Sequence, residues 1–153
     1  KKLEKQINIL ENNDEYQIAY TNALLIDKTG KSFGSKTYPK TLDYYQMLKR
    51  NYICNSSSIF KAKFLNGLRF EDIKHEDYLF WLRLFSKGIK AINTNNFLIS
   101  YRVHDNNFTT NKLLSLWWHV KLQRYFGLKL RDIFIKLIQN FISRLRSLKN
   151  VKD

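Results

Sequence analysis

Apolar residues at helical spacing mark residues 77–87 more clearly than any other part of the chain. The residues that carry this pattern are Tyr78, Leu79, Phe80, Trp81, Leu82, Leu84 and Phe85. Some of them recur at i, i+3, i+4 and i+7 and share one helical face, while the others add apolar surface on the remaining sides. The pattern therefore predicts a deeply buried helix that ends at Gly88.

The same spacing predicts helices elsewhere, at residues 1–12, 41–49, 61–66, 111–125 and 129–148. The apolar stripes of the first two are Leu3, Ile7 and Leu10, and Leu42, Tyr45 and Leu48. The second of these stripes is expected to face inward, because its residues return to one side of the helix every three to four positions.

Strand patterns lie between these helices, at residues 16–26, at 54–60 and within 91–103, best at 97–101. A polar turn is predicted at residues 27–34. Strands that alternate with helices indicate an α/β architecture. The chain is therefore expected to form one α/β domain over residues 1–110, followed by a basic helical tail over residues 111–153.

Composition supports a folded chain. Hydrophobic residues make up 44% of it and aromatic residues 15%, enough for a core. Because Cys54 is the only cysteine, an intrachain disulfide is excluded, and a reducing, cytoplasmic compartment is expected. No apolar run approaches the ~18 residues of a membrane span, so any membrane contact is expected to be peripheral, on the inner face of the cytoplasmic membrane.

Charge narrows the choice of partner. The net charge is +14, from 27 basic and 13 acidic residues. Such an excess suggests a polyanionic partner, namely nucleic acid, anionic lipid or a phosphorylated substrate. The excess is concentrated in residues 112–153, which hold ten basic and two acidic residues.

The tail itself is predicted to contain a basic amphipathic helix. Its apolar stripe consists of Leu130, Phe134, Leu137, Ile138, Phe141, Leu145 and Leu148. Residues 128–150 would lie on an anionic membrane surface, or else pack on the domain or on a second copy in a homodimer. Trp117 and Trp118 fit either reading, as interfacial anchors or as ordinary core.

Two carboxylates, Glu76 and Asp77, open the buried helix. At the least they stabilise its N-terminal dipole, by ~0.3–1 kcal/mol each. A carboxylate held on a rigid helix is also suited to general-base catalysis.

The residues around this pair resemble a known family. His75-Glu76-Asp77-Tyr78, followed by Trp81-Leu82, is similar to the catalytic-base motif of family 2 glycosyltransferases with the GT-A fold. Three further stretches agree with that family in order: residues 2–7 resemble the helix after its metal-binding Asp-x-Asp loop, residues 19–27 with Gly30-Lys31 resemble the next strand and turn, and residues 101–104, Tyr-Arg-Val-His, resemble its Tyr-Arg-x-His. The resemblance covers residues 1–111.

The resemblance implies a role for several residues. Asp77 would be the catalytic base, Glu76 would help to bind or orient the acceptor, and His75 would orient this pair or contact the acceptor. His104 would help the Asp-x-Asp motif to bind Mn²⁺ or Mg²⁺. Arg102 would contact phosphate oxygens, or pair within the fold. Ser57 belongs to a small polar stretch, residues 54–58, that would lie near the acceptor.

The fold implied is a partial GT-A (nucleotide-diphospho-sugar transferase-like) mixed sheet with flanking helices, followed by C-terminal basic amphipathic helices. No Asp-x-Asp occurs in these residues. The chain is therefore expected to be the C-terminal, acceptor-side half of a larger enzyme and to be inactive alone.

The activity implied is inverting transfer from a nucleotide sugar to a glycan or lipid-linked acceptor, in bacterial surface polysaccharide or lipooligosaccharide synthesis. The alternative is a basic module that binds nucleic acid or membrane without catalysis. Nucleic acid is the less favoured partner, because many aromatic residues follow the apolar periodicity and are expected in the core.

Overall fold

A computed structural model of the chain describes residues 1–73, 75–103, 112–133 and 135. The chain divides into two compact units, Lys1–Thr110 and Asn111–Asp153. The elements of the first unit are, in order, α1 (Lys2–Glu11), β1 (Ile18–Ile26), β2 (Ser32–Lys36), β3 (Thr41–Leu42), α2 (Tyr44–Lys49), β4 (Ile59–Phe60), α3 (Glu76–Phe85) and β5 (Ala91–Arg102).

Within the described residues, five strands form one mixed sheet in the order β2-β1-β5-β3, with β4 beside the start of β1. β1 and β5 run parallel, and β2, β3 and β4 are antiparallel to their neighbours. Parallel pairing requires a crossover, which here includes α2 and α3. The predicted α/β architecture with a mixed sheet and flanking helices is confirmed, and it is compatible with a partial Rossmann-like glycosyltransferase fold.

A buried polar network fixes how β5 lies against β1. Asn93 donates to Asn22 at 2.9 Å, and Asn22 also accepts the Tyr38 backbone N–H at 3.0 Å. The register shifts at this point, where Asn95 adopts a φ of 59° and bulges out of the strand. Because each of these buried groups has a partner, the network specifies one register.

Helix α1 packs through an amide rather than through its predicted stripe. Gln6 is fully buried and donates to the Ala19 carbonyl at 3.0 Å and to the Ser57 carbonyl at 2.7 Å. Leu10 is buried, but Leu3 and Ile7 are 58% and 47% exposed. Gln6 is buried in place of Leu3 and Ile7 because its amide can donate to two backbone carbonyls, whereas an aliphatic side chain cannot.

Three predicted segments differ from the observed elements. The predicted helix at 41–49 begins only at Tyr44, because Thr41 and Leu42 pair with β5 and Asp43 caps α2. The predicted strand at 54–60 is a 3-10 turn, Asn55–Ser57, followed by the short β4. The predicted turn at 27–34 ends early, because β2 begins at Ser32.

Tyr45 was also placed wrongly. It was expected to face inward and is 73% exposed, whereas Met47 is fully buried. Because Thr41 and Leu42 form β3 and Asp43 caps the helix, α2 begins three residues later than predicted, and Leu42 does not share a helical face with Tyr45 and Leu48. The predicted short helix at 61–66 is a 3-10 turn over Ala62–Phe64.

The prediction of a deeply buried helix at 77–87 is confirmed by α3. All seven of its predicted apolar residues are buried. Phe80 and Trp81 contact each other edge to face at 5.1 Å, and Phe70 stacks on Phe80 at 4.2 Å. Such aromatic contacts make the helix a rigid support for the residues at its N terminus.

In the second unit, α4 (Lys112–Tyr125) is terminated by Gly127, which follows two residues later with a φ of 86°. Leu128 donates to the Gln123 carbonyl and Gly127 to the Arg124 carbonyl, both at 3.0 Å, which is a Schellman ending. Residues 130–133 and 135 are helical, and the rest of the predicted helix at 129–148 lies outside the described residues. No helix in the described part of the chain is both long and apolar enough to span a bilayer.

Candidate active site

The site is built at the N terminus of α3, where the backbone enters the helix through an unusual conformation. His75 occupies the N-cap position with φ 61° and ψ 37°, in the left-handed region. Its carbonyl accepts the first helical hydrogen bond, from Leu79 at 3.1 Å. Left-handed non-glycine residues store strain and are common at functional sites. Residues 75–77 lie at this N-terminal end of the helix.

Asp77 is the most constrained of the predicted site residues. Its side chain is half-buried, and Oδ1 accepts the Tyr78 backbone N–H at 2.7 Å. Oδ2 accepts from Nδ2 of Asn51 at 3.2 Å. Each carboxylate oxygen therefore has one donor and keeps further lone-pair capacity for a substrate hydroxyl.

Burial raises the pKa of the Asp77 carboxyl above its usual range, and the adjacent Glu76 charge raises it further. The Tyr78 N–H, the nearby His75 and the Asn51 amide act in the opposite direction on that pKa and do not overcome burial. A carboxylate with a raised pKa accepts a proton more readily. Asp77 therefore has the environment of a general base rather than of a surface charge.

Asn51 was not predicted, and it is held from two sides. Its Oδ1 accepts the Ile53 backbone N–H at 3.1 Å, which leaves Nδ2 directed at Asp77. The end of α2, just before Asn51, is fixed by the Tyr78 hydroxyl, which donates to the Met47 carbonyl at 2.7 Å. No local sequence signal marks Asn51, because the acceptor of its side-chain amide, Asp77, lies on α3, 26 residues away.

The other carboxylates nearby behave differently. Glu76 is exposed, unlike Asp77 beside it. Glu71 forms an ion pair with Arg83, which ties the loop before α3 to its last turn. Asp72 is exposed. Burial and hydrogen bonding therefore distinguish Asp77 from its acidic neighbours.

Ser57 and Arg102 lie in other parts of the unit. Ser57 is fully buried, and its hydroxyl donates to the Cys54 carbonyl at 2.6 Å. Arg102 ends β5 and donates to the Asp27 and Lys28 carbonyls at 2.8 and 2.9 Å, so it fixes the turn after β1. Their roles in substrate binding stay predictions. Both residues have structural contacts that the sequence did not reveal.

His104 lies outside the described residues, so its predicted role in metal binding stays a prediction. Among the residues that the structure describes, no three His, Cys, Asp or Glu side chains are grouped to hold a metal ion. These residues therefore do not by themselves make the Mn²⁺ or Mg²⁺ site that the resemblance implies.

A shallow polar groove lies elsewhere, between α1 and the β5 bulge. Its polar lining consists of Lys5, Asn8, Asn12, Asn13, Thr94 and Asn96. None of the predicted site residues contributes to it. The groove therefore gives no support to the predicted site.

Several curated proteins are similar in sequence to this chain. The Escherichia coli UDP-Glc:alpha-D-GlcNAc-diphosphoundecaprenol beta-1,3-glucosyltransferase WfaP is 32% identical over 144 residues, which cover 94% of this chain and 57% of WfaP. An uncharacterized glycosyltransferase of Methanocaldococcus jannaschii is 30% identical over 135 residues, covering 84% of the chain and 45% of that protein. One of Haemophilus influenzae is 29% identical over 118 residues, covering 76% and 47%.

The chain spans about half the length of the curated relatives it matches. No protein-family model matches it. The named relatives are all glycosyltransferases, and together they support a glycosyltransferase family for this chain.

Proposed function

We propose, on the premise that the chain is related to glycosyltransferases, that it forms the acceptor-side part of an inverting enzyme of family 2. Asp77 carries the proposal, because it is half-buried, hydrogen-bonded at both oxygens and has a raised pKa. The reaction would transfer a sugar from a nucleotide sugar to a hydroxyl of a glycan or lipid-linked acceptor.

In this mechanism Asp77 accepts the proton of the acceptor hydroxyl. The hydroxyl oxygen forms a bond to the anomeric carbon while the bond from that carbon to the diphosphate breaks on the opposite face. The nucleoside diphosphate leaves, the configuration inverts, and the proton remains on Asp77 until solvent removes it. Glu76, which is exposed beside it, would bind the incoming acceptor.

Asn51 would act as a positioning residue for Asp77. Its amide is anchored by the Ile53 N–H and by the α2 end that Tyr78 holds. A carboxylate fixed in this way loses little conformational freedom when the acceptor binds, which favours the transition state.

The name of one relative, WfaP, supports a proposal for the donor and the acceptor. WfaP is named for a UDP-Glc donor and a GlcNAc-diphosphoundecaprenol acceptor. We propose a nucleotide-sugar donor and a lipid-linked acceptor here too, in cell-envelope polysaccharide synthesis on the cytoplasmic side. From the family resemblance we also propose that the enzyme depends on Mn²⁺ or Mg²⁺.

The test is an assay of the full-length gene product with UDP-, GDP- and CMP-sugars, Mn²⁺ and undecaprenyl-diphosphate-linked acceptors. Asp77→Asn should lower turnover by about 10²–10⁴-fold and leave donor binding in place, because the base acts on the acceptor.

Asp72→Asn is the matched control, since it removes an exposed carboxylate near the same helix. It should keep wild-type turnover. Unchanged turnover in Asp77→Asn, beside an active wild-type enzyme, would refute the assignment of the base.

A further inference from the structure

Helix α4 exposes a face that is unlike the exposed face of an ordinary helix of a soluble protein. Leu116, Trp117 and Tyr125 are 40%, 54% and 70% exposed. The opposite side is closed, because Leu122 and Gln123 are buried. The helix therefore has an inner side that packs and an outer side that also carries large apolar groups.

We call this outer side the Trp117 face. At helical spacing it consists of Leu116, Trp117, Val120, Lys121, Arg124 and Tyr125. Its polar members are both cations, and no carboxylate lies among them. A solvated helix face usually mixes charges of both signs with few large apolar residues.

Cations and rings are interleaved on this face. The Lys121 ammonium lies 5.1 Å from the Trp117 ring centroid and 4.8 Å from that of Trp118. The character continues into the next segment, where Leu130 and Ile135 are 60% and 44% exposed and Lys129 and Arg131 are exposed beside them. Asp132 is the only acidic residue between positions 112 and 135.

We propose that the Trp117 face binds the surface of an anionic lipid bilayer. Tryptophan and tyrosine favour the headgroup level, leucine and valine favour the acyl boundary, and lysine and arginine are attracted to anionic headgroups. The Trp117 face presents all three kinds of group on one side of a single helix.

A nucleic acid fits this face less well. Phosphates would be bound by Lys121 and Arg124, and bases would stack on Trp117. Leu116 and the half-buried Val120 would remain in water, with nothing to bury them. The proposal is independent of the catalytic role of Asp77 and goes beyond it, because it concerns docking and not group transfer.

The test is co-sedimentation of the full-length gene product with vesicles of phosphatidylcholine alone or with phosphatidylglycerol. Binding is expected only with phosphatidylglycerol and should weaken as salt is raised. Lys121→Gln with Arg124→Gln should weaken binding roughly 25-fold, at roughly fivefold per cation. Trp117→Ala should weaken it further.

Matched controls remove similar groups from the first unit. Lys28→Gln with Lys31→Gln removes two exposed cations, and Tyr45→Ala removes a ring that is 73% exposed. Both should bind vesicles as the wild type does. Far-UV circular dichroism of each variant confirms that its helices remain.

Equal losses in controls and face variants would overturn the proposal. If the protein binds RNA and does not bind vesicles, the proposal is also overturned. The same holds if it does not bind vesicles and forms a dimer, seen by light scattering, that Trp117→Ala dissociates. Asp77→Asn should keep vesicle binding, so a failure of lipid docking and a failure of the catalytic proposal are separately visible.

Discussion

Two tryptophan-containing helices of this chain use similar apolar residues in opposite ways. In α3, Trp81 is fully buried and seven of ten residues are in the core. In α4, Trp117 is 54% exposed while Leu122 on the far side is buried. The comparison shows that aromatic content alone does not place a helix in the core. Other parts of the protein also have to pack against its aromatic face.

The difference extends to charge. Residues 1–110 hold 17 basic and 11 acidic residues, whereas residues 111–153 hold ten and two. In the first unit, carboxylates such as Glu71 and Glu15 pair with cations, at Arg83 and Lys90. The second unit has two carboxylates for ten cations, and one of them, Asp132, pairs with Arg131 at 3.6 Å. One unit is therefore suited to hold a reactive carboxylate, and the other to attract an anionic surface.

The largest expected effect is on stability, when the buried tryptophan of α3 is removed. Trp81→Ala should lower the free energy of unfolding by about 3–5 kcal/mol, because it leaves a cavity against Phe80 and Phe60. Urea denaturation followed by circular dichroism measures it. A loss below about 1 kcal/mol would contradict the view of α3 as the rigid core support.

The next effect concerns the site that α3 supports. Asn51→Ala should lower kcat on the order of 10- to 100-fold with KM for the donor unchanged, because Asp77 loses its side-chain donor. The acid limb of the pH–rate profile should move to higher pH, since the Asn51 bond holds the Asp77 pKa down.

Asn8→Ala, which removes an exposed amide on α1, is the control for Asn51 and should leave the profile in place. A general loss of stability would reduce activity without moving the limb. An unmoved limb in Asn51→Ala would therefore assign Asn51 to the fold only.

A smaller effect is expected on stability as pH changes. Because burial raises the Asp77 pKa in the folded state, protonation favours folding, and that stabilisation is lost as pH rises through the folded pKa. Asp77→Asn removes this titration.

The stability of the Asp77→Asn variant relative to wild type should therefore improve from about pH 3 to pH 7, from just below to well above an ordinary carboxyl pKa. Thermal unfolding across that range measures the difference. A relative stability that falls with pH would mean that Asp77 is stabilised as a charge.

The smallest effect on stability is predicted for the exposed tryptophan of α4. Trp117→Ala should change the free energy of unfolding by no more than about 0.5 kcal/mol, because the ring is 54% exposed. The same urea denaturation measures it. A loss comparable to that of Trp81→Ala would show that the Trp117 face is covered in the folded protein.

The sequence located α3 and the long strands β1 and β5 because their signal is local. In α3 the apolar residues recur at helical spacing, and β1 begins with a continuous buried run. In β5 the polar residues 93–96 interrupt the apolar ones, so its pattern is best at 97–101. The Glu76-Asp77 pair was likewise visible, since both residues are adjacent to the helix start. Their different burial was not.

What the tertiary structure decided came from contacts between distant residues. Gln6 rather than Leu3 is buried, because its amide donates to the carbonyls of Ala19 and Ser57. Thr41 became strand rather than helix because β5 offered it a partner. No short-range period encodes such pairings.

The candidate site divides in the same way. The sequence alone determined the carboxylate, its rigid helix and the excess of positive charge in the tail. Only the fold decided that Asn51 meets Asp77, 26 residues away, and that Trp117 faces outward. The physical reason is that spacing along a chain determines which residues share a face, whereas packing determines what that face meets.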